Sequence, residues 1–87
     1  MPPGKLVTLN QLGTGQTATV IQIRGGMGLT RRLEALGIRP GKKVTKVSSM
    51  LFRGPVSLKV DNSQIALGFG MASKITVEQD MATPGSN

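Results

Sequence analysis

The stretch VSLKVDNSQIAL, residues 56–67, carries the clearest secondary-structure signal in the chain. Its first half alternates apolar and polar residues, and this two-residue period is typical of a strand with one buried face. The Asp-Asn-Ser triplet at 61–63 favours a turn, because Asp and Asn tolerate left-handed backbone. A return strand over 64–67, with Ile65 and Leu67 facing inward, completes a predicted β-hairpin.

Short β-branched segments elsewhere predict three more strands. A last strand over 74–78 would bury Ile75 and Val77. Segments 17–23 and 43–49 are rich in Val, Ile and Thr, but their strongest apolar residues stand three apart, which breaks the two-residue period. We therefore expect a bulge or a sharp coil in each, as small barrels need in order to close. A helix is the alternative for these two segments, but their β-branched content argues against it. Together with frequent Gly and Pro, these segments predict a mainly β fold, a small barrel or sandwich of about five strands.

One segment, residues 29–36, has a helical period instead. Leu29, Leu33 and Leu36 stand at i, i+4 and i+7, which places them on one face of a helix. Gly37 is well placed as a left-handed stop at the carboxyl end of this helix. The sequence therefore predicts one short helix inserted between strands.

The residues that follow this helix predict how it ends. Ile38 is expected to fold back onto Leu33, and Pro40 prevents the helix from continuing. A second, shorter helical turn is predicted over 68–73, just before the last strand.

The length of 87 residues is enough for one domain. Residues 6–79 are predicted to form this domain, and residues 1–5 and 80–87 are predicted to be flexible tails rich in small and polar residues. No signal peptide is visible, and no segment approaches the roughly 20 apolar residues of a membrane span. These features predict a cytoplasmic location.

The side-chain inventory argues against catalysis and against a metal site. The chain has no His and no Cys, which removes the usual general base, the usual nucleophile–base pairs and the common soft metal ligands. Its four acids, Glu34, Asp61, Glu78 and Asp80, are scattered along the chain. We therefore expect no catalytic residue, no metal ligand and no cofactor.

Eleven Lys and Arg against four acids produce a net charge of +7. A positive field of this size favours acidic partners, nucleic acid or anionic surfaces. Cations concentrate on the predicted helix and the turn after it, where they could form one patch or a merely solvated face. The candidate partner-binding residues are Arg31, Arg32, Arg39, Lys42 and Lys43, with Lys46 extending the same run.

Several separated runs of the sequence resemble one known family, that of ferrous iron transport protein A. These runs are LNQLG (9–13), Gly25-Gly26, RRLEALGIRPG (31–41), RGPV (53–56) and IALG (65–68), followed by Ala72 and Ile75. The resemblance covers about residues 6–79, and the run at 31–41 is its strongest part. It implies an SH3-like β-barrel with an inserted helical segment.

The resemblance also implies a role and a partner. Proteins of this family are thought to act on ferrous iron transport protein B, a membrane permease with a cytoplasmic GTP-binding domain. The implied role is to support or regulate that transporter rather than to carry iron. Transfer of the motif implies a helix-and-turn corner shaped by Leu33, Leu36, Gly37, Ile38, Pro40 and Gly41. Arg31, Arg32 and Arg39 would be its partner-facing members.

Two other functions stay open from the sequence. A basic SH3-like nucleic-acid-binding module would explain the charge, although Phe52 and Phe69 are the only aromatic residues and offer no stacking platform. A metal-sensing domain would have to bind Fe²⁺ or Zn²⁺ through sparse carboxylates, backbone oxygens or thioethers, because His and Cys are absent. A related domain closes the carboxyl terminus of iron-dependent repressors, but no winged-helix DNA-binding unit precedes it here.

Exposed edge strands would also allow weak pairing between copies.

Overall fold

The computed structural model of this chain describes residues 4–49 and 54–79. Six strands in that part of the chain pair antiparallel in one sheet, in the order β1-β6-β2-β3-β4-β5. The strands are β1 (Lys5–Thr8), β2 (Thr17–Ile23), β3 (Lys43–Ser49), β4 (Val56–Val60), β5 (Ser63–Leu67) and β6 (Ile75–Gln79). The helices are α1 (Met27–Ala35) and α2 (Phe69–Ala72), and a single 3-10 turn covers Leu9–Gln11.

The predicted fold class is confirmed, because the described part of the chain is mainly β and the short helix α1 is inserted between β2 and β3. The sheet contains one strand more than the five predicted. This is β1, which pairs with β6 in register from Lys5 opposite Gln79 to Thr8 opposite Thr76. Within residues 4–49 and 54–79 no ladder joins β1 to β5, so the curved sheet keeps two edges.

Gly4 and Lys5, which belong to the amino-terminal tail predicted over residues 1–5, are instead held against β6, and residues 1–3 lie outside the described residues. Lys5 begins β1, and the Gly4 backbone N–H donates to the Glu78 carboxylate at 2.8 Å. A four-residue strand shows little periodicity of its own, and its pairing partners lie 68 to 74 residues away in the chain, so the sequence gives no local signal for it. The tail predicted over 80–87 lies outside the described residues.

The predicted hairpin and its left-handed turn are confirmed. β4 and β5 pair without interruption from Val56 opposite Leu67 to Val60 opposite Ser63. Asp61 has φ 55°, the one positive φ among the non-glycine residues that the structure describes. The short polar side chain of Asp tolerates this backbone better than most residue types do.

Both predicted bulges are also present. The register between β2 and β6 shifts between Val20 and Gln22, and the register between β3 and β4 shifts between Lys46 and Ser48. Each shift turns the residue inside it outward, so that Ile21 is exposed. The three-residue apolar spacing in these segments therefore marked irregular strands rather than helices.

The core is aliphatic and joins the sheet to α1. Leu33 is fully buried and Leu29 packs against the core, as the leucine spacing predicted. Leu36 does not belong to this face, because 39% of it is exposed. It is the cap residue after Ala35, the last residue of α1, and its φ of −90° and ψ of 0° show that the chain leaves the regular helical path there.

The helix ends as the sequence predicted, through Gly37. The Ile38 backbone N–H donates to Leu33 O and the Gly37 N–H donates to Glu34 O, both at 2.9 Å. Gly37 has φ +92°. This pair of bonds is the Schellman arrangement, and it brings the fully buried Ile38 back to the base of the helix.

Replacing Gly37 by alanine is expected to lower the free energy of unfolding by about 1–2 kcal/mol. A Cβ there would meet Val60 at 3.5 Å, an ordinary contact, so the cost comes from the left-handed backbone. Gly28→Ala in α1 is the matched control, because a Cβ there meets nothing within 4 Å. That variant should gain up to about 1 kcal/mol. Urea unfolding of both variants measures the difference, and equal effects would contradict the assignment.

Candidate partner-binding surface

The exposed side of α1 carries the first two predicted partner-binding residues. Arg31 and Arg32 are both exposed. Arg31 follows Met27 at i+4, so the two side chains are neighbours on the helix surface. Met27 is 71% exposed, although it is a large apolar residue. This side of the helix therefore combines cations with an uncovered apolar side chain.

The other three predicted residues lie at the corner between α1 and β3. Arg39 and Lys43 are exposed, and Lys42 is half-buried. Arg39, Pro40, Gly41 and Lys42 line a shallow pocket of about 230 Å³, which we call the corner pocket. The structure thus gathers Arg39 and Lys42 around one concavity, and it leaves Arg31 and Arg32 on the preceding helix.

One of the residues that line the corner pocket, Lys42, forms an ion pair with Asp61. The Lys42 ammonium lies 2.8 Å from the Asp61 carboxylate, which the left-handed turn between β4 and β5 presents. Their side chains are 28% and 68% exposed, respectively. Sequence reasoning placed Lys42 on the surface but did not pair it with Asp61, since the two residues are 19 positions apart and belong to different turns.

Lys46 does not belong to this surface, and its assignment to the basic run is wrong. It is 4% exposed, and its ammonium donates to Leu12 O at 2.6 Å and to Asn10 O at 3.1 Å. Lys46 lies before the bulge, so it keeps the inward alternation set by Val44, and both side chains are buried. The two-residue step from Val44 is the sequence signal that could have shown this.

The buried ammonium ties β3 to the loop before β2. Besides the two side-chain bonds, the Lys46 backbone N–H donates to Gln16 O and the Gly15 N–H donates to Lys46 O. Burial lowers the pKa of Lys46 below its ordinary 10.5, because desolvation penalises the charged form. Lys46 therefore stabilises the fold, whereas Lys43 and Val47 on the same strand are exposed.

The acidic residues that the structure describes do not assemble into a metal centre. Across residues 4–49 and 54–79, no group of three or more Asp, Glu, His or Cys side chains is close enough to hold an ion. No helix in the described part of the chain is long and apolar enough to cross a membrane.

The fold and the basic corner define a small SH3-like β domain with an exposed helix and turn. Residues 7–79 match the family model described as FeoA domain, and the chain belongs to that family. The match confirms the resemblance given by the run at 31–41.

Three known proteins illustrate the relationship. A Methanocaldococcus jannaschii protein named "Putative Fe(2+) transport protein A" is 38% identical over 64 residues, which cover 74% of this chain and 76% of that protein. A crystal structure of an iron uptake regulatory protein, FeoA, aligns with a TM-score of 0.79 and 29% identity over 86% of this chain and 97% of its own. A manganese-dependent transcriptional repressor shares the fold at TM-score 0.79 and 24% identity; the match covers 91% of this chain and 44% of the repressor.

Proposed function

We propose that this chain is a cytoplasmic, non-catalytic accessory module that binds the cytoplasmic GTP-binding domain of a ferrous iron permease and regulates Fe²⁺ transport. Family membership supports this role. The names of two similar proteins, one for Fe²⁺ transport and one for regulation of iron uptake, point the same way.

The observation that carries the proposal is the mixed surface of α1. Arg31 and Arg32 share the exposed part of this helix with the apolar Met27, and the partly exposed Leu36 follows at its end. Protein interfaces are enriched in Arg and Met at well-packed contacts. Binding to nucleic-acid phosphates depends on Lys and Arg charges, and an exposed methionine adds nothing to it. A folded protein partner therefore fits this surface better than a nucleic acid.

The ligand inventory supports regulation rather than transport of the ion. Fe²⁺ sites in proteins use imidazole, thiolate and carboxylate groups. The whole sequence has no His and no Cys, and the described acids do not cluster. The proposed module accordingly acts on the transporter and does not hold iron itself.

Reversing the charge of Arg31 and Arg32 to glutamate is expected to weaken binding to the GTP-binding domain by about tenfold or more, since the two new carboxylates would repel an acidic partner surface. Titration calorimetry with the purified domain measures the change. The control is Lys5→Glu with Lys74→Glu, which alters the net charge equally at two exposed lysines outside this surface. Equal losses in the two double variants would contradict a local site.

A titration with random-sequence duplex DNA tests the nucleic-acid alternative, which the net charge of +7 favours. We expect weak binding to DNA and tighter binding to the permease domain at physiological salt. Tight binding to DNA with a steep dependence on salt, together with no binding to the permease domain, would overturn the proposed function.

A further inference from the structure

The corner pocket already has a carboxylate at its edge. Asp61 places one oxygen 2.8 Å from the ammonium of Lys42, one of the residues that line the pocket. Arg39 lines the same pocket and is exposed. A guanidinium and an ammonium at one concavity form a site that suits an oxyanion.

We propose that the corner pocket binds an aspartate or glutamate side chain from an acidic segment of the partner, and that Asp61 is a built-in counter-ion which the incoming carboxylate replaces. This inference rests on the proposed function, because the partner is the same. It adds the chemistry by which the turn at Arg39–Lys42 recognises that partner.

Asp61 is held loosely enough to be replaced. Its side chain is 68% exposed, so water solvates much of the carboxylate that pairs with Lys42. Exposed ion pairs of this kind contribute little to stability. Asp61 also sits in a two-residue turn, so its side chain can leave Lys42 without displacing a buried residue.

The backbone of the pocket favours a carboxylate over a phosphate group. Phosphate sites in proteins gather several free backbone N–H groups. Here the Gly41 N–H donates to Val20 O at 2.8 Å and the Lys42 N–H donates to Arg39 O at 3.0 Å. Pro40 has no N–H to offer. The pocket therefore presents side-chain cations without an amide cradle, which suits a singly charged carboxylate.

Asp61→Asn tests this exchange directly. Asparagine tolerates the left-handed backbone at this position, so the turn is expected to persist. Removing the competing charge should tighten binding of a glutamate-rich synthetic peptide by about two- to fivefold, in line with the small strength of an exposed ion pair. NMR titration measures the affinity and shows whether the amide signals of Gly41 and Lys42 shift. The same peptide with glutamine in place of glutamate is the reference probe.

Two further variants separate a local exchange from general electrostatics. Glu34→Gln raises the net charge by the same amount at an exposed acid of α1 and should change the affinity little. Lys42→Gln should weaken the glutamate peptide severalfold, whereas Lys59→Gln, at an exposed lysine of β4, should not. Equal gains for Asp61→Asn and Glu34→Gln would overturn the proposal. So would stronger binding of inorganic phosphate than of the peptide at these amides.

The same variants distinguish this inference from the proposed function. If the permease domain binds the wild-type chain but Asp61→Asn and Lys42→Gln leave that binding unchanged, the pocket assignment is wrong and the proposed function stands. If the glutamate peptide binds at the corner and the permease domain does not bind at all, the pocket is supported and the proposed function is overturned.

Discussion

Replacing Lys46 by methionine is expected to lower the free energy of unfolding by about 2–3 kcal/mol, because two backbone carbonyls would lose their donor. Those carbonyls belong to Asn10 and Leu12, and the bond to Leu12 O is buried. Methionine has a similar volume to lysine, so the loss of stability measures mainly the missing hydrogen bonds and only to a small extent a change in packing. At about 4–8 °C per kcal/mol, Tm should fall by about 10–20 °C.

The control for this variant is Lys59→Met, on the strand next to β3. Lys59 is exposed, and the same change of charge and shape there should alter stability by no more than about 0.5 kcal/mol. Urea unfolding followed by circular dichroism measures both variants. Similar small effects in the two would show that the Lys46 ammonium does not hold the loop before β2.

The pH dependence of Lys46→Met provides an independent check of the buried ammonium. The pKa of Lys46 is lowered in the folded chain and is near 10.5 in the unfolded chain. Between these two values the unfolded chain binds more protons, so stability rises with pH there. The advantage of wild type over Lys46→Met should therefore grow toward pH 10.5. A constant or shrinking difference would contradict burial of the charged group.

Truncating Leu33 to alanine is expected to cost about 3 kcal/mol, within the range for fully buried leucines. Leu33 is 0% exposed and connects α1 to the sheet. Its carbonyl also accepts the Ile38 N–H at the end of the helix. A cavity at this point should loosen both the helix and the corner, and so weaken partner binding that depends on Arg31 and Arg39.

Leu36→Ala is the matched control, since it removes the same atoms from the same helix end. Leu36 is partly exposed, so the expected loss is under about 1 kcal/mol. Thermal unfolding separates the two variants. If Leu36→Ala proved as costly as Leu33→Ala, burial of Leu33 would not be what anchors the helix to the sheet.

The candidate site was partly visible in the sequence. Arg31, Arg32 and Arg39 were predicted to be exposed, and the structure places all three at the surface. The sequence did not show which residues these cations contact. The ion pair of Lys42 with Asp61, for example, joins residues of two different turns. Charge counting identifies a basic region, but only the packing of the two turns decides which cation has a counter-ion.

By itself the sequence determined the elements whose signals are local. The alternation at 56–60 and Asp61 in the turn specified the hairpin, and Gly37 specified where α1 ends, because backbone preferences act over a few residues. The residue types also excluded imidazole and thiol chemistry.

Only the tertiary structure decided the features that depend on distant partners. β1 forms because β6 pairs with it, and the Lys46 ammonium is held inside because the carbonyls of Asn10 and Leu12, more than 30 residues earlier, accept its hydrogen bonds. A two-residue period shows that a strand has two faces. Which neighbour covers each face is set by contacts between residues far apart in the chain, and those contacts form only when the sheet assembles.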